Sequence, residues 1–298
     1  MKRITKNTDN SFRKAVTSLT AAAIMVGLAS GSVLAAGEST PPATTAPPPA
    51  GAGSSLAEQA TNPVSNLMQI QLQNSYSWDN YNSSGASNTF VFQPVIPISL
   101  PWKSVPLWIS RTTLPYIRTP GFPVVGHEHG FGDITMNNFF TLNLGLKGQT
   151  IGIGPTFVFP TAGDNEFTGN GKWQAGPTFL YINHATKTQF GILAYQLWSF
   201  ASTSSGKDRP GVSKIALQPF ITQHLDKGWY VGSPDSPQFY DWKTEKWQLA
   251  LGGQVGRVFK IGKQPVKMFG EILHNPVDNG GPTAKWTAKI GLTLLFPE

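Results

Sequence analysis

Lys214, Gln218 and His224 fall on even positions of one stretch, Lys267 and Glu271 on odd positions of another, and Gln254 and Lys289 stand in two more. Residues two apart in an extended chain point the same way, so in strands each of these groups shares a face. Turned to the inside of a closed sheet, Lys214, Lys267, Glu271 and Lys289 would select what passes by charge. The plainer reading pairs Lys267 or Lys289 with Glu271 and lets them fill a narrow barrel. His127-Glu-His129 puts two imidazoles on one face of a strand, but a metal centre needs a third ligand that this stretch does not supply. Ser110, Ser199 and Ser213 with His184, His224 and His274 are the residue types of a serine hydrolase, yet no spacing singles out a nucleophile and its base. No glycine-rich phosphate loop and no acidic pair set for hydrolysis is present. The expectation is therefore no catalytic residue, no metal and no cofactor, with Lys214, Gln218, His224, Gln254, Lys267, Glu271 and Lys289 lining a pore.

The elements that would position them are strands. In the C-terminal Lys285-Trp-Thr-Ala-Lys-Ile-Gly-Leu-Thr-Leu-Leu-Phe296, Trp286, Ala288, Ile290, Leu292, Leu294 and Phe296 alternate with Thr287, Lys289, Gly291 and Thr293. The same period runs through 68–78, 89–99, 150–159, 173–181, 214–224 and 247–255. The face opposite the apolar one is built from Gln, Thr, Ser and Gly, not from the Lys and Glu that coat a solvated sheet. A polar, weakly charged interior with an apolar exterior is the inside-out arrangement of a membrane barrel. The stretches 107–117, 134–142, 190–200 and 266–274 alternate less cleanly and are placed by context.

About twelve strands of roughly ten to thirteen residues are expected, close to what a tilted strand needs to cross hydrocarbon. The connections alternate: long over 80–88, 119–131, 160–171, 201–212, 233–245 and 275–284; short over 101–105, 143–148, 184–187, 225–227 and 260–264. With both termini periplasmic, every long connection is extracellular. All nine tryptophans fall at or near strand ends or in connections, as in an interfacial girdle. Pro94, Pro155, Pro177 and Pro219 sit inside strands, where each should delete a ladder bond or force a bulge.

The chain has 298 residues. The basic residues Lys2, Arg3, Lys6, Arg13 and Lys14, the apolar run 21–28 and the small residues near 33–36 read as an export signal over 1–36. The net charge of +7 includes the five basic residues and Asp9 of that segment, so the rest carries only +3 and a nucleic-acid partner is not expected. Residues 37–63 read as a Pro/Ala-rich disordered spacer, with one helical turn at 56–60, and 64–298 as a single barrel domain. There is no cysteine for a disulfide or a lipid anchor. Charged residues are 13% of the chain, against about a quarter in soluble domains, and no apolar run is long enough for a membrane helix.

Gln93-Pro-Val-Ile-Pro-Ile-Ser-Leu100, Gly132-Asp-Ile134, Gly152-Ile-Gly-Pro-Thr-Phe-Val-Phe-Pro-Thr161, Gly171-Lys-Trp-Gln-Ala-Gly-Pro-Thr-Phe179, Leu217-Gln-Pro-Phe220, Val258-Phe-Lys-Ile-Gly-Lys-Gln-Pro-Val266 and Gly291-Leu-Thr-Leu-Leu-Phe-Pro297 form a distinctive set. As a set they resemble the bacterial family described as outer-membrane proteins of the MetA pathway of phenol degradation, often called transporters. The resemblance spans nearly the whole domain. It implies an outer-membrane barrel that passes small molecules, aromatic ones among them, and it carries over no catalytic residue. Many such barrels end on an aromatic residue; here Pro297 and Glu298 follow Phe296, which bears on recognition by the barrel assembly machinery. The sequence thus points to an all-β antiparallel barrel in the outer membrane of a Gram-negative bacterium, with lipid, assembly machinery and small solutes as partners and passive uptake as its function. The competing readings are a barrel enzyme acting on lipid and a structural or adhesive barrel.

Overall fold

The computed structural model of the chain describes residues 56–63, 65–121, 126–163, 165–184 and 187–297. The export signal, the spacer up to residue 55, parts of three connections and Glu298 lie outside the described residues. Fifteen strands follow in order: β1 (Met68–Asn80), β2 (Ser87–Trp102), β3 (Val105–Arg118), β4 (His129–Phe131), β5 (Ile134–Leu142), β6 (Gln149–Phe159), β7 (Lys172–Asn183), β8 (Thr188–Ser202), β9 (Ser213–His224), β10 (Trp229–Gly232), β11 (Gln238–Asp241), β12 (Lys246–Gln248), β13 (Leu251–Ile261), β14 (Gln264–His274) and β15 (Ala284–Phe296). They make one antiparallel sheet with twelve wall positions, because β4 and β5 share one position, β10 and β11 a second, and β12 and β13 a third. β15 pairs with β1 from Met68↔Phe296 to Asn80↔Ala284, so the sheet closes and leaves no edge along its length.

The outer face is greasy. Ile290 is 66% exposed, and Phe90, Phe157, Ile221, Met268 and Ile272 project with it. A continuous apolar belt on a closed sheet has bilayer hydrocarbon as its solvent. Trp102, Trp108 and Trp229 mark one rim, and Trp78, Trp173, Trp198, Trp242, Trp247 and Trp286 the other. The chain is a transmembrane barrel of the outer-membrane type. Among the described residues no helix is long and apolar enough to span a membrane, which is no obstacle to a protein that crosses with strands.

The interior is most densely polar around the closure, although Arg111, Asn137, Thr156, Gln174, Gln189 and Gln218 carry polar groups round the rest of the wall. Gln69, Gln71, Gln73, Ser75 and Ser77 of β1 face inward with Lys267, Glu271, Thr287, Lys289 and Thr293 of β14 and β15. Across from them Leu107, Ile109, Phe139, Leu180, Ile182, Leu193 and Leu197 form a buried apolar cluster on β3 and β5 to β8. Each such side chain contributes about 1.5–3 kcal/mol by burial, as in an ordinary core. This explains two of the blurred stretches: in β3 and β8 lipid claims one face and an inner core the other, so no apolar–polar period survives, whereas β5 is blurred by Phe139 among inward Thr135, Asn137 and Thr141 and by Asn138 on the opposite parity.

Lapses in the ladder accommodate the in-strand prolines. Pro155 and Pro177 sit directly opposite each other. Facing residues of an antiparallel pair exchange two bonds or none, so two facing prolines cost that ladder nothing, and their absent N–H groups are owed to β5 and β8. There the pairing lapses, between Asn137↔Thr156 and Phe140↔Ile153 on one side and between Ala175↔Trp198 and Thr178↔Tyr195 on the other. Glycine permits the close approach: a Cβ on Gly154 would lie 2.1 Å from the Asn138 carbonyl oxygen, and one on Gly176 1.9 Å from that of Gln196. Asn138 Nδ2 donates instead to the Pro155 carbonyl at 3.2 Å. At Pro94 the β2–β3 pairing lapses likewise between Phe92↔Leu114 and Val95↔Arg111, and Thr113 Oγ1 donates to Gln93 Oε1 at 3.0 Å.

Candidate functional site

Two segments that belong to no wall strand occupy the lumen. The first is α1 (Leu56–Gln59) and the residues after it. The helical turn expected at the end of the spacer is present, but it packs inside the barrel: Ala57, Ala60 and Leu67 are buried against Tyr230, Val258, Phe269 and Leu295. Thr61 Oγ1 donates to Gln189 Oε1 at 2.9 Å and lies 3.0 Å from His224 Nε2, while Gln189 Nε2 donates to the Glu58 carbonyl at 2.7 Å. Gln189 and His224 flank the short turns, so α1 closes the periplasmic end. Aromatic rings fill space beside it, over glycines that leave room: a Cβ on Gly256 would lie 2.3 Å from Tyr230, and one on Gly291 2.1 Å from Phe269.

The second is residues 233–237, Ser-Pro-Asp-Ser-Pro. The sequence reading made 233–245 a single extracellular connection; instead the chain leaves the wall after β10, crosses the lumen and returns as β11. β9 pairs with β11 through Leu217 and with β10 from Thr222, and between them faces a breach. Ile221 N donates to Ser233 Oγ at 3.0 Å, so by the two-residue period the missing N–H of Pro219 points into the same breach and no ladder bond is lost there.

Charge fastens this insert. Lys289 and Glu271 face each other in register on β15 and β14 and pair at 3.0 Å, with side chains 1% and 0% exposed. Glu271 accepts from Asp235 N at 2.8 Å and Ser236 Oγ at 2.9 Å, and Lys289 Nζ donates at 2.7 Å to both the Asp235 carbonyl and Ser236 Oγ. Gln218 Nε2 donates to Asp235 Oδ1 at 3.1 Å and Gln254 Nε2 to the Ser233 carbonyl at 2.8 Å. Two small cavities flank it: one of about 40 Å³, bounded by Arg111, Lys267, Tyr230, Asp235, Phe220 and Leu193 among others, and one of about 20 Å³, bounded by Ser236, Phe239 and Gln248 among others. The larger has room for about one water.

Of the seven side chains expected to face inward, Gln218, Gln254, Glu271 and Lys289 converge on the insert, and Lys267 lines the cavity beside it. His224 lies at the α1 end, and Lys214 pairs with Asp241 of β11 at 3.4 Å. Sequence reasoning missed Arg111 and Asp235. Arg111 is 5% exposed, reaches Asn137 Oδ1 with Nη2 at 3.4 Å, and has no hydrogen-bond partner for Nε. A signal for Asp235 was available, since a ninth strand confined to 228–232 is too short to cross a bilayer.

The other candidates have structural partners. His127 Nδ1 lies 2.9 Å from the Thr119 carbonyl and the His129 ring lies tilted beside Tyr116, and among the described residues no three metal-binding side chains converge. His184 Nε2 meets Thr150 Oγ1 at 3.2 Å and His274 Nδ1 the Lys285 carbonyl at 3.1 Å; with His224 on Thr61, these contacts lead away from Ser110, Ser199 and Ser213. At the extracellular end Asp133 accepts from Asn170 N at 2.7 Å and Ala162 N at 3.3 Å, knitting two loops together, and burial holds its carboxyl above the usual range against those bonds.

Neither a family profile nor a curated protein matches the chain. Among solved structures it is similar to an outer membrane channel from Pseudomonas putida F1, with 14% identity over 77% of this chain and 94% of that one and a TM-score of 0.56. The NanC porin follows at 13% identity, 76% and 98% coverage and a TM-score of 0.48, and outer membrane phospholipase A from Escherichia coli at 10%, 77% and 96%, and 0.40. The first likeness shows the fold. The other two are too distant to carry an argument.

Proposed function

We propose that the chain is an outer-membrane channel for passive uptake of small solutes, compact aromatic molecules among them, and that it conducts when its lumenal inserts move. Residues 1–36 would export it and 37–55 tether the plug. The observation that carries this reading is that α1 and residues 233–237, neither of them part of a wall strand, sit in the lumen. A barrel meant only as a scaffold can fill its interior from the wall; here two segments outside the wall strands do part of the filling. The lumen they would uncover is two-sided. Gln73 Nε2 donates to Gln71 Oε1, Gln71 Nε2 to Gln69 Oε1 and Gln93 Nε2 to Gln71 Oε1, at 3.1–3.2 Å, a polar track opposite the apolar cluster around Leu193 and Phe139. Such a lumen suits a solute with one polar end, in keeping with the phenol-pathway resemblance. Lys214, Gln218, His224, Gln254, Lys267, Glu271 and Lys289 would line its path. Planar-bilayer recording and liposome swelling with the mature chain test this. Small, discrete conductance steps and faster swelling for the smallest solutes are expected; a folded barrel that gives neither current nor swelling overturns it.

A further inference from the structure

The lumen holds three cations, Arg111, Lys267 and Lys289, around the insert, against two carboxylates, Glu271 and Asp235. Lys289 is satisfied by Glu271. Arg111 and Lys267 are 5% and 4% exposed, and the ion pairs among the described residues include neither. Both instead rest on aromatic rings, Arg111 on Phe139 and Lys267 on Phe269, each at 5.7 Å. Arg111 Nε and the Tyr230 hydroxyl are buried without a hydrogen-bond partner, and both groups line the cavity that Lys267 and Asp235 also line. Asp235 feels Lys289 first, then Lys267 and, more weakly, Arg111, with Glu271 opposing them. Buried donors left idle beside a surplus cation describe a site for an anion larger than the one now present. Leu193 and Phe220 supply an apolar wall next to it.

We propose that Arg111 and Lys267, with the Tyr230 hydroxyl, form a binding site for the carboxylate of a small solute carrying a compact apolar group, and that Asp235 of the insert stands in for that carboxylate until the solute displaces it. The cavity of about 40 Å³ is too small for such a solute while the insert is in place, so binding and displacement are one event. The insert is anchored by hydrogen bonds that Gln218, Gln254 and Lys289 donate and Glu271 accepts, which an arriving polar group or water replaces in kind. A neutral or cationic analogue of the same shape gains nothing from the two cations. The proposal rests on the channel reading for its consequence, opening, but not for its binding site.

The test uses benzoate, benzyl alcohol and benzylamine on the full mature chain, with calorimetry in detergent and conductance in planar bilayers. Benzoate should bind at least tenfold more tightly than the other two and raise conductance. Arg111→Gln with Lys267→Gln should abolish both responses. Asp235→Asn should raise resting conductance and tighten benzoate several-fold, which a variant that merely misfolds cannot do; retained heat-modifiable migration in gels reports folding. Benzoate binding without current from any variant would sink the channel reading and leave the site standing. Current without benzoate binding, equal binding of benzylamine, or an unchanged response in the double glutamine variant would overturn the site.

Discussion

The two lumenal inserts are held by opposite kinds of force. α1 and its neighbours are seated by apolar packing against Tyr230, Val258, Phe269 and Leu295, with Thr61 as a polar pin. Residues 233–237 are seated by an ion pair and the bonds it makes to their backbone. Packing is non-directional and has no natural competitor in water. A charge-fastened segment has one: any solute that offers the wall the same groups. The periplasmic plug is therefore built to stay until something pulls the chain, and the central insert to respond to what arrives in the lumen.

That contrast can be broken by substitution. Lys289→Ala leaves Glu271 buried without its partner and should cost about 3–5 kcal/mol, read from urea unfolding in lipid vesicles; the double change Lys289→Met with Glu271→Leu should recover most of that loss while raising conductance, and if it stays as closed as the wild type, charge is not what fastens the insert. Deleting 56–63 behind the export signal should leave a heat-modifiable barrel with conductance several-fold higher, and a barrel that no longer assembles would mean α1 is part of the wall's core, not a plug. Tyr230→Phe removes a buried hydroxyl that has no partner and should stabilise the fold by about 1 kcal/mol, visible in the same unfolding assay. Thr61→Val should cost about 1 kcal/mol of local stability, read as faster amide exchange over α1 with the strands unaffected. Lys285→Ala breaks an exposed pair with Asp79 at the extracellular rim and should change neither unfolding nor current.

Much of the wall was legible because lipid and a polar lumen impose opposite demands on alternate residues. In β1 and β15, Met68 through Trp78 and Trp286 through Phe296 alternate with only Asn74 and Leu295 out of pattern, and their pairing closes the barrel. The legibility failed where the inner face is also apolar: in β3, Leu107 and Ile109 point inward and hide the parity that would have exposed Arg111 as a lumenal cation. At the site, a pairing of Glu271 with Lys267 or Lys289 was readable from composition and parity, and register chooses Lys289. What it holds was not, because Asp235 meets it through its backbone N–H and carbonyl, which leave no trace in residue type, and the Ser236 hydroxyl comes from a segment that sequence places outside the wall. Facing prolines were equally hidden: Pro155 and Pro177 look like two defects until register makes them one.

Proline also stands at both ends of the central insert, Pro234 and Pro237, while Pro219 faces it across the breach. Three residues without an amide hydrogen, set where β9 and its neighbour would otherwise zip together, forbid the gap from healing into continuous sheet. The ninth stave is thus permanently split, and a displaced insert has no lower-energy berth in the wall to be trapped in, so it is free to come back.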